Sequence, residues 1–567
     1  MAALSSNRRS CRGSCACCFP EDEELRAWYM YDFGIGPIAL AIIVFAPLLV
    51  VTQAKYEASK GGVIEWRHIT SDGDLCAAPV TVHSDADFRR PDNITDDCQW
   101  FPLDTKVPGI GMDYTSVAAY VSALVLFSSG ALLVILGPMG DIGSHRRLTL
   151  AFCVGVWGVC FAIPVSLSSS SLYLVNALFV FAGATAWNFG NRALRNAYLP
   201  LLVRSDPKVQ EKMKELYSQA EEVDDQDGAR CDDNRQRNSK MEVNKLSEQL
   251  ASEFSITTSA YFFVGQILGF IVQGLLVTLL APGETEPSNT FGLRLALAFA
   301  AVFGIAFCWH SIYGLGVRPG PPFAGGTLDW LSLGCKRVYG TLTLMRKDMS
   351  QMMVFLIGRT LHWTAVQSIL TTATLYIERE FSLRADELVL PLVVMLVTSM
   401  ISALALGAFV KRYKNSNQRL TLVVCCVTNL IPVYMLLGLR EKWEIYFLFV
   451  LAGLLVSPFP ALSRGILAQM IPAGYSSTIM SLEGILELGT SWIGPLVIGL
   501  IVDLTGSIRW GCFSMLFVML PALPFLFKTS LAVASDQKMD VEKMKVSQPP
   551  TADLEMFQLV PEEAMNE

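Results

Sequence analysis

Charge is almost absent from twelve stretches of this chain, each close to the length of one membrane-crossing helix. Such a helix needs about 20 mostly apolar residues. In lipid every backbone N–H and C=O must be bonded within its own element, so stretches of this kind are helical. The spans fall near 34–53, 114–136, 148–167, 171–190, 256–280, 293–316, 350–376, 388–410, 419–438, 445–463, 480–502 and 510–528. Residues 148–190 form one uncharged run, divided here at the serine cluster 168–171 because a single helix of that length would overshoot a bilayer. Only 17% of residues are charged, and these are gathered into a few hydrophilic blocks. The net charge of −7 comes with no basic face, so nucleic acid is not an expected partner; the lipid bilayer is. The expectation is an all-α membrane protein with twelve transmembrane helices.

The hydrophilic blocks divide the chain. Residues 1–33 form an N-terminal tail, 34–202 hold spans 1 to 4 with a long loop at 54–113, and 203–254 form a charged loop. Spans 5 and 6 occupy 255–316, a linker follows at 317–349, spans 7 to 12 fill 350–528, and 529–567 is a tail. Arg8, Arg9 and Arg12 are not followed by an apolar region before the acids at 21–24, so no cleavable signal is expected and span 1 inserts the chain. The basic hairpins at His145-Arg146-Arg147 and 411–419 place both tails, the charged loop and the linker in the cytosol. Arg379, Arg384, Arg440 and Lys442 lie on the other side and weaken the count. Loop 54–113 supports the same orientation: Asn93 heads a glycosylation sequon, and Cys76 and Cys98 are a cysteine pair suited to an oxidising lumen.

Cys11, Cys15, Cys17 and Cys18 suit a palmitoylated tail better than a zinc site, and best a disordered tail with no specific role. Within the charged loop, KVQEKMKELYSQAEE has helical spacing and DDQDGARCDDNRQRN reads as disordered, so the block is a solvated connector. Residues 555–560 loosely resemble an acidic dileucine-type sorting signal.

Residues 137–148, GPMGDIGSHRRL, resemble the signature loop of the major facilitator superfamily. Gly137 and Gly143 suit a tight loop, Asp141 a helix cap, and Arg146 and Arg147 an anchor at the cytosolic face. A degraded echo, GAFVKRYKNSNQRL at 407–420, follows span 8 as the first follows span 2, which fits two six-helix halves in parallel repeat. WYMYDF at 28–33, with Trp28, Tyr31 and Asp32, resembles the opening of the autophagy-related vacuolar effluxer family within that superfamily. Asn196-Ala-Tyr-Leu-Pro200, Ala461-Leu-Ser-Arg464, Met470-Ile-Pro472, Thr490-Ser491-Trp492-Ile-Gly494-Pro495 and Thr505-Gly-Ser-Ile-Arg509 resemble that family's motifs in order. The sequence departs from it at Gly34-Ile35-Gly36, where Ala-Asn-Ser is usual, and at Leu488, where lysine is common.

Ionisable residues inside spans are costly and mark function. Arg359 and His362 share a face of span 7, and Glu483 and Glu487 share a face where span 11 begins. In the superfamily span 7 lines the cavity, so Arg359 and His362 are candidates for substrate or proton contact. The alternative is a structural ion pair of Arg359 with Glu487 or Glu378. Glu487, with Asp32 a further substrate or proton candidate, is either a gating carboxylate that a proton could neutralise or, in the preferred reading, the partner of Arg146 or Arg147 in a bridge locking one state. Arg192 and Arg195 read as anchors at the end of span 4. Gln266 and Gln273, with Gly265 and Gly269, suggest either tight helix packing or a polar cavity wall in span 5. Trp28, Tyr29 and Tyr31 suit an interfacial belt, while Asp32 either caps span 1 or pairs with a basic residue of a neighbouring span.

The resemblance implies a transporter that exports small solutes, amino acids from autophagic breakdown, across the vacuolar or lysosomal membrane, with protons as a candidate coupling ion. A facilitator of another solute (sugar, peptide or organic ion), or a non-transporting receptor or scaffold with 203–254 as docking arm, are the alternatives. No Walker loop, metal-spaced His/Cys cluster or nucleophile motif is present, so neither enzymatic activity, a metal nor a cofactor is expected.

Overall fold

The computed structural model of the chain describes residues 23–68, 75–83, 85–88, 98–137, 146–224, 232–280, 286–316, 327–381, 387–412, 417–456, 458–472 and 476–531, with 533–534, 536–538 and 541. Its helices are α1 Glu23–Ser59, α2 Tyr114–Leu136, α3 Arg146–Ser166, α4 Ser170–Arg192, α5 Pro207–Asp224 and α6 Asp232–Leu280. They continue with α7 Glu286–Gly314, α8 Thr327–Asp348, α9 Ser350–Phe381, α10 Val389–Arg412, α11 Gln418–Leu437 and α12 Lys442–Val456. The last are α13 Pro458–Met470, α14 Ser476–Ser491, α15 Ile493–Thr505 and α16 Ile508–Lys528. Among the described residues, nine helical stretches are long and apolar enough to cross a membrane. The other three expected spans coincide with α9, which carries buried charge, with α10, and with the pair α12 and α13.

The first half packs α1 against α6 and α7, and α3 against α4 and α7; the second packs α9 against α16 and α10 against α12. The halves meet chiefly along α2, which lies on both α14 and α15. This is the major facilitator fold. The loop between α1 and α2 forms an antiparallel sheet, β1 Val63–His68, β2 Val80–Thr81 and β3 Cys98–Pro102, in the order β2-β1-β3. The face of the molecule that carries it is called the sheet face below; the face where α1 begins is the opposite face. Tyr56, Phe88 and Trp100 cluster beneath the sheet and fasten it to the end of α1.

Two elements depart from the sequence expectation. Helix α1 begins at Glu23, not at 34, so WYMYDF lies inside a 37-residue helix. Trp28, Tyr29 and Tyr31 are buried in the helix bundle, not arranged as an interfacial belt. Pro37 removes the N–H that would bond to the Phe33 carbonyl. That carbonyl lies against Gly265 of α6. A Cβ at Gly36 would stand 2.5 Å from Gln266 N, which accounts for the departure from Ala-Asn-Ser there. Helix α6 runs 49 residues. At about 1.5 Å per residue that is more than twice the ~30 Å hydrocarbon core. Its N-terminal half therefore extends the crossing segment out of the bundle and pairs with α5. KVQEKMKELYSQAEE is helical as expected, whereas the stretch read as disordered is helical from Asp232 onward; 225–231 lie outside the described residues.

Candidate functional site

Helix α4 runs on into a π turn, Gly190–Arg195, which carries Arg192 and Arg195 toward the neighbouring helices. The side chain of Arg195 makes an ion pair with Asp32 of α1, and Thr258 of α6 donates to the same carboxylate at 2.5 Å and accepts from Arg195 at 2.9 Å. Trp28 completes the cluster: its Nε1 donates to the Arg195 carbonyl, and its ring lies 4.5 Å from the guanidinium. Asn196 Oδ1 accepts from Arg195 Nη1 at 2.7 Å, which gives the Asn-Ala-Tyr-Leu-Pro motif a role in orienting that arginine. Asp32 is 4% exposed and nine residues into its helix, so of the two readings the interhelical pair holds and the cap does not.

The second half builds a related cluster with the charges exchanged. Arg359 of α9, 1% exposed, pairs with Glu483 of α14, and its Nε donates to Ser463 Oγ of α13 at 3.0 Å. His362, one turn on, is fully buried against Phe459 at 4.7 Å, and neither ring nitrogen has a hydrogen-bond partner among the described residues. In both halves the first helix, the fourth and the fifth supply the group. An acid on the first meets a base on the fourth in one; a base on the first meets an acid on the fifth in the other.

Glu487 ties the second cluster to α4 of the first half. It lies 2.9 Å from Arg192 of α4 and 3.8 Å from Arg359. The expected bridge to Arg146 or Arg147 is therefore corrected: those two are engaged elsewhere. Arg146 sits over the Tyr198 ring at 5.3 Å, and Arg147 over that of Tyr313 at 5.6 Å. Glu378, the other partner considered for Arg359, pairs with Lys55. Arg192, Arg195, Asn188 and Thr185 recur at helical spacing on one face of α4. That polar stripe is the sequence signal that would have moved the arginines from anchors to site residues.

The Thr-Ser-Trp-Ile-Gly-Pro segment shapes the seam between halves. Pro495 lies in the first turn of α15, after the break at Trp492, where its missing N–H costs no hydrogen bond. Gly494 lies against Ser368, and Ser491 Oγ donates back to the Glu487 carbonyl. Trp492 meets Phe127 of α2 edge-on at 5.4 Å, and Leu488 is buried beside Leu126 and Leu133, a place a lysine would occupy only at a desolvation cost. Gln273 Nε2 donates to the carbonyls of Ala296 and Pro37, so it binds helices together.

At the sheet face a second set of pairs links the halves, and no sequence motif pointed to it. Lys55 lies 2.9 Å from Glu378, both buried, with the Trp100 and Phe101 rings of β3 at 4.6 and 5.5 Å from its ammonium. Arg379 pairs with Asp113 at 3.1 Å and donates to the carbonyl of Gly506, whose φ of 69° favours glycine. Asp503 accepts from Asp113 N at 3.0 Å and from the Tyr120 hydroxyl at 2.5 Å.

Gly137 ends α2. Asp141, Gly143, Asn93, the four N-terminal cysteines and 555–560 lie outside the described residues, as do the side chains of Cys98, Pro200 and Arg464. Cys76 is disulfide-bonded.

A family described as vacuole effluxer, Atg22-like, matches residues 21–538. The chain is similar to autophagy-related protein 22-2 of Aspergillus niger, 25% identical over 555 residues that cover 89% of each. It is also similar to autophagy-related protein 22 of Cryptococcus neoformans var. neoformans serotype D, 24% identical over 579 residues, 89% of this chain and 94% of the relative. Among solved structures, a D-xylose-proton symporter superposes with a TM-score of 0.52 at 11% identity, covering 89% of this chain and 97% of the other, a likeness of fold alone.

Proposed function

The chain belongs to the Atg22-like vacuole effluxer family, and on that premise we propose that it carries amino acids, as zwitterions, from the vacuolar lumen to the cytosol by alternating access. Family and fold make it a multi-pass transporter of the vacuolar membrane. In this reading the sheet face is lumenal, which the disulfide at Cys76 supports, and the opposite face with Arg146 and Arg147 is cytosolic. The source of the solutes in autophagic breakdown follows the name the relatives carry.

The observation that carries the substrate class is the charge balance around Glu487. Arg192, Arg359, Glu483 and Glu487 bring two positive and two negative charges together at the meeting of the halves. A solute bearing one carboxylate and one ammonium replaces one arm of such a network without leaving net charge buried. Its carboxylate takes an arginine and its ammonium the released glutamate. A singly charged solute leaves one buried ion unpaired, at a cost of several kcal/mol. A sugar offers no charge to displace either arm. With Lys55–Glu378 and Asp113–Arg379 made, the sheet face is shut, and opening to the lumen requires both to part. Asp32, whose Oδ1 has no hydrogen-bond partner among the described residues, and His362 are the proton-responsive candidates of this cycle.

The test is flux from acid-loaded proteoliposomes holding the purified protein, with leucine, lysine, glutamate and xylose compared at equal concentration. Leucine is expected to leave at least about tenfold faster than either charged amino acid, the factor that 1.4 kcal/mol of differential binding produces. Equal flux of lysine or glutamate, or saturable flux of xylose alone, counts against the zwitterion reading while leaving the carrier fold in place.

A further inference from the structure

Helices α3 and α7 run side by side at the outside of the first half, seamed where Gly158 packs against Ile305. Leu148 and Phe152 of α3 are exposed, and the space beside Gly155 is open. Ile305, Ala306, Trp309, His310 and Tyr313 of α7 line a groove of about 490 Å³. All five lie on α7, so the groove follows that helix toward the opposite face, where α3 begins and α7 finishes.

The ends of the groove differ chemically. Toward the bilayer centre it is lined by Ile305 and Ala306. Toward the opposite face it meets His310 and, through Tyr313, Arg147, whose Nη2 donates to the Tyr313 carbonyl at 3.3 Å. Trp309 and Tyr313, ring centroids 5.9 Å apart, stand exposed at that level, where amphipathic rings favour the headgroup region. None of the five lining residues is acidic.

We propose that this groove holds one anionic phospholipid of the adjoining leaflet, one acyl chain lying over Ile305 and Ala306 and the phosphate meeting Arg147 and His310. An apolar furrow alone would accept any lipid tail. The guanidinium and imidazole at its headgroup end, with no carboxylate in the lining, select the charge.

The experiment is native mass spectrometry of the full chain in detergent after exposure to equal amounts of phosphatidylglycerol and phosphatidylcholine. Wild type is expected to retain phosphatidylglycerol preferentially. Arg147→Gln and His310→Gln are each expected to reduce that preference, Arg147→Gln by about fivefold, the contribution of one basic side chain at a charged membrane surface. Ala306→Trp, which fills the apolar end of the groove, is expected to lower retention of both lipids. Thermal transitions of the three variants check that each is folded, and the two glutamine variants keep the test open if Ala306→Trp is not. Equal retention of both lipids by wild type overturns the proposal. So does a preference that survives Arg147→Gln and His310→Gln together.

Discussion

At Glu487 one carboxylate is shared between halves, held by Arg192 on one side and close to Arg359 on the other. Arg359–Glu483 and Asp32–Arg195 are the internal ties of each half. Removing one partner of a buried pair leaves the other ion uncompensated, at about 3–5 kcal/mol. Arg359→Ala is therefore expected to lower the thermal transition in detergent more than Arg192→Gln, because the Arg192 side chain is 31% exposed and water screens it. Equal losses would contradict the burial difference. Asp32→Asn and Asp32→Ser are both expected to abolish most flux, since a neutral side chain cannot hold Arg195; retained flux in Asp32→Asn would return the residue to a polar spacer. Much of this was legible in part. The i,i+3 and i,i+4 spacings of Arg359/His362 and Glu483/Glu487 marked the second half's site without a structure. The arginines of α4 were hidden because a basic residue at a span end already has an explanation in membrane orientation. Lys55, Asp113 and Asp503 were hidden because they lie at helix ends and loops where charge is unremarked.

The apolar runs placed the helices well, because burial in lipid is the one signal the sequence repeats. Their breaks were not legible: the π turns at Ala41–Phe45 and Gly190–Arg195 follow from tertiary packing, not from composition. The length of α6 was equally hidden, since its polar half mixes good helix formers such as Glu, Lys, Gln and Leu with as many Ser, Asn and Asp, and has no long apolar run. Glycines at helix contacts give a sharper test of the element packing. Gly36→Leu should prevent α1 from seating on α6, because the Gln266 and Phe262 backbones cannot yield. Gly484→Ala, with nothing within 4 Å, should be tolerated or stabilise α14 by about 0.5–1 kcal/mol. Expression and monodispersity of the two variants in detergent read the difference; well-behaved Gly36→Leu protein would contradict the packing of α1. Deleting α5 and the first turns of α6, residues 207–240, tests whether this segment is only a connector: flux is expected to persist, and its loss would give the segment a working role.

Across the whole molecule, ion pairs join the halves at the sheet face and within the bundle, and a rocking carrier must part each set at some point in its cycle. The sheet face is closed by Lys55–Glu378 and Asp113–Arg379, and the cross-half tie within the bundle is Arg192–Glu487. We expect this tie to work as an electrostatic lock between the halves, not as packing. Its most direct measurement is leucine flux from acid-loaded proteoliposomes for Arg192→Glu, Glu487→Arg and the double exchange. Each single reversal sets like charges against each other and is expected to lose most of its flux, and the double exchange to recover a substantial part. A double exchange no better than the single variants, or single reversals that transport like wild type, would contradict it.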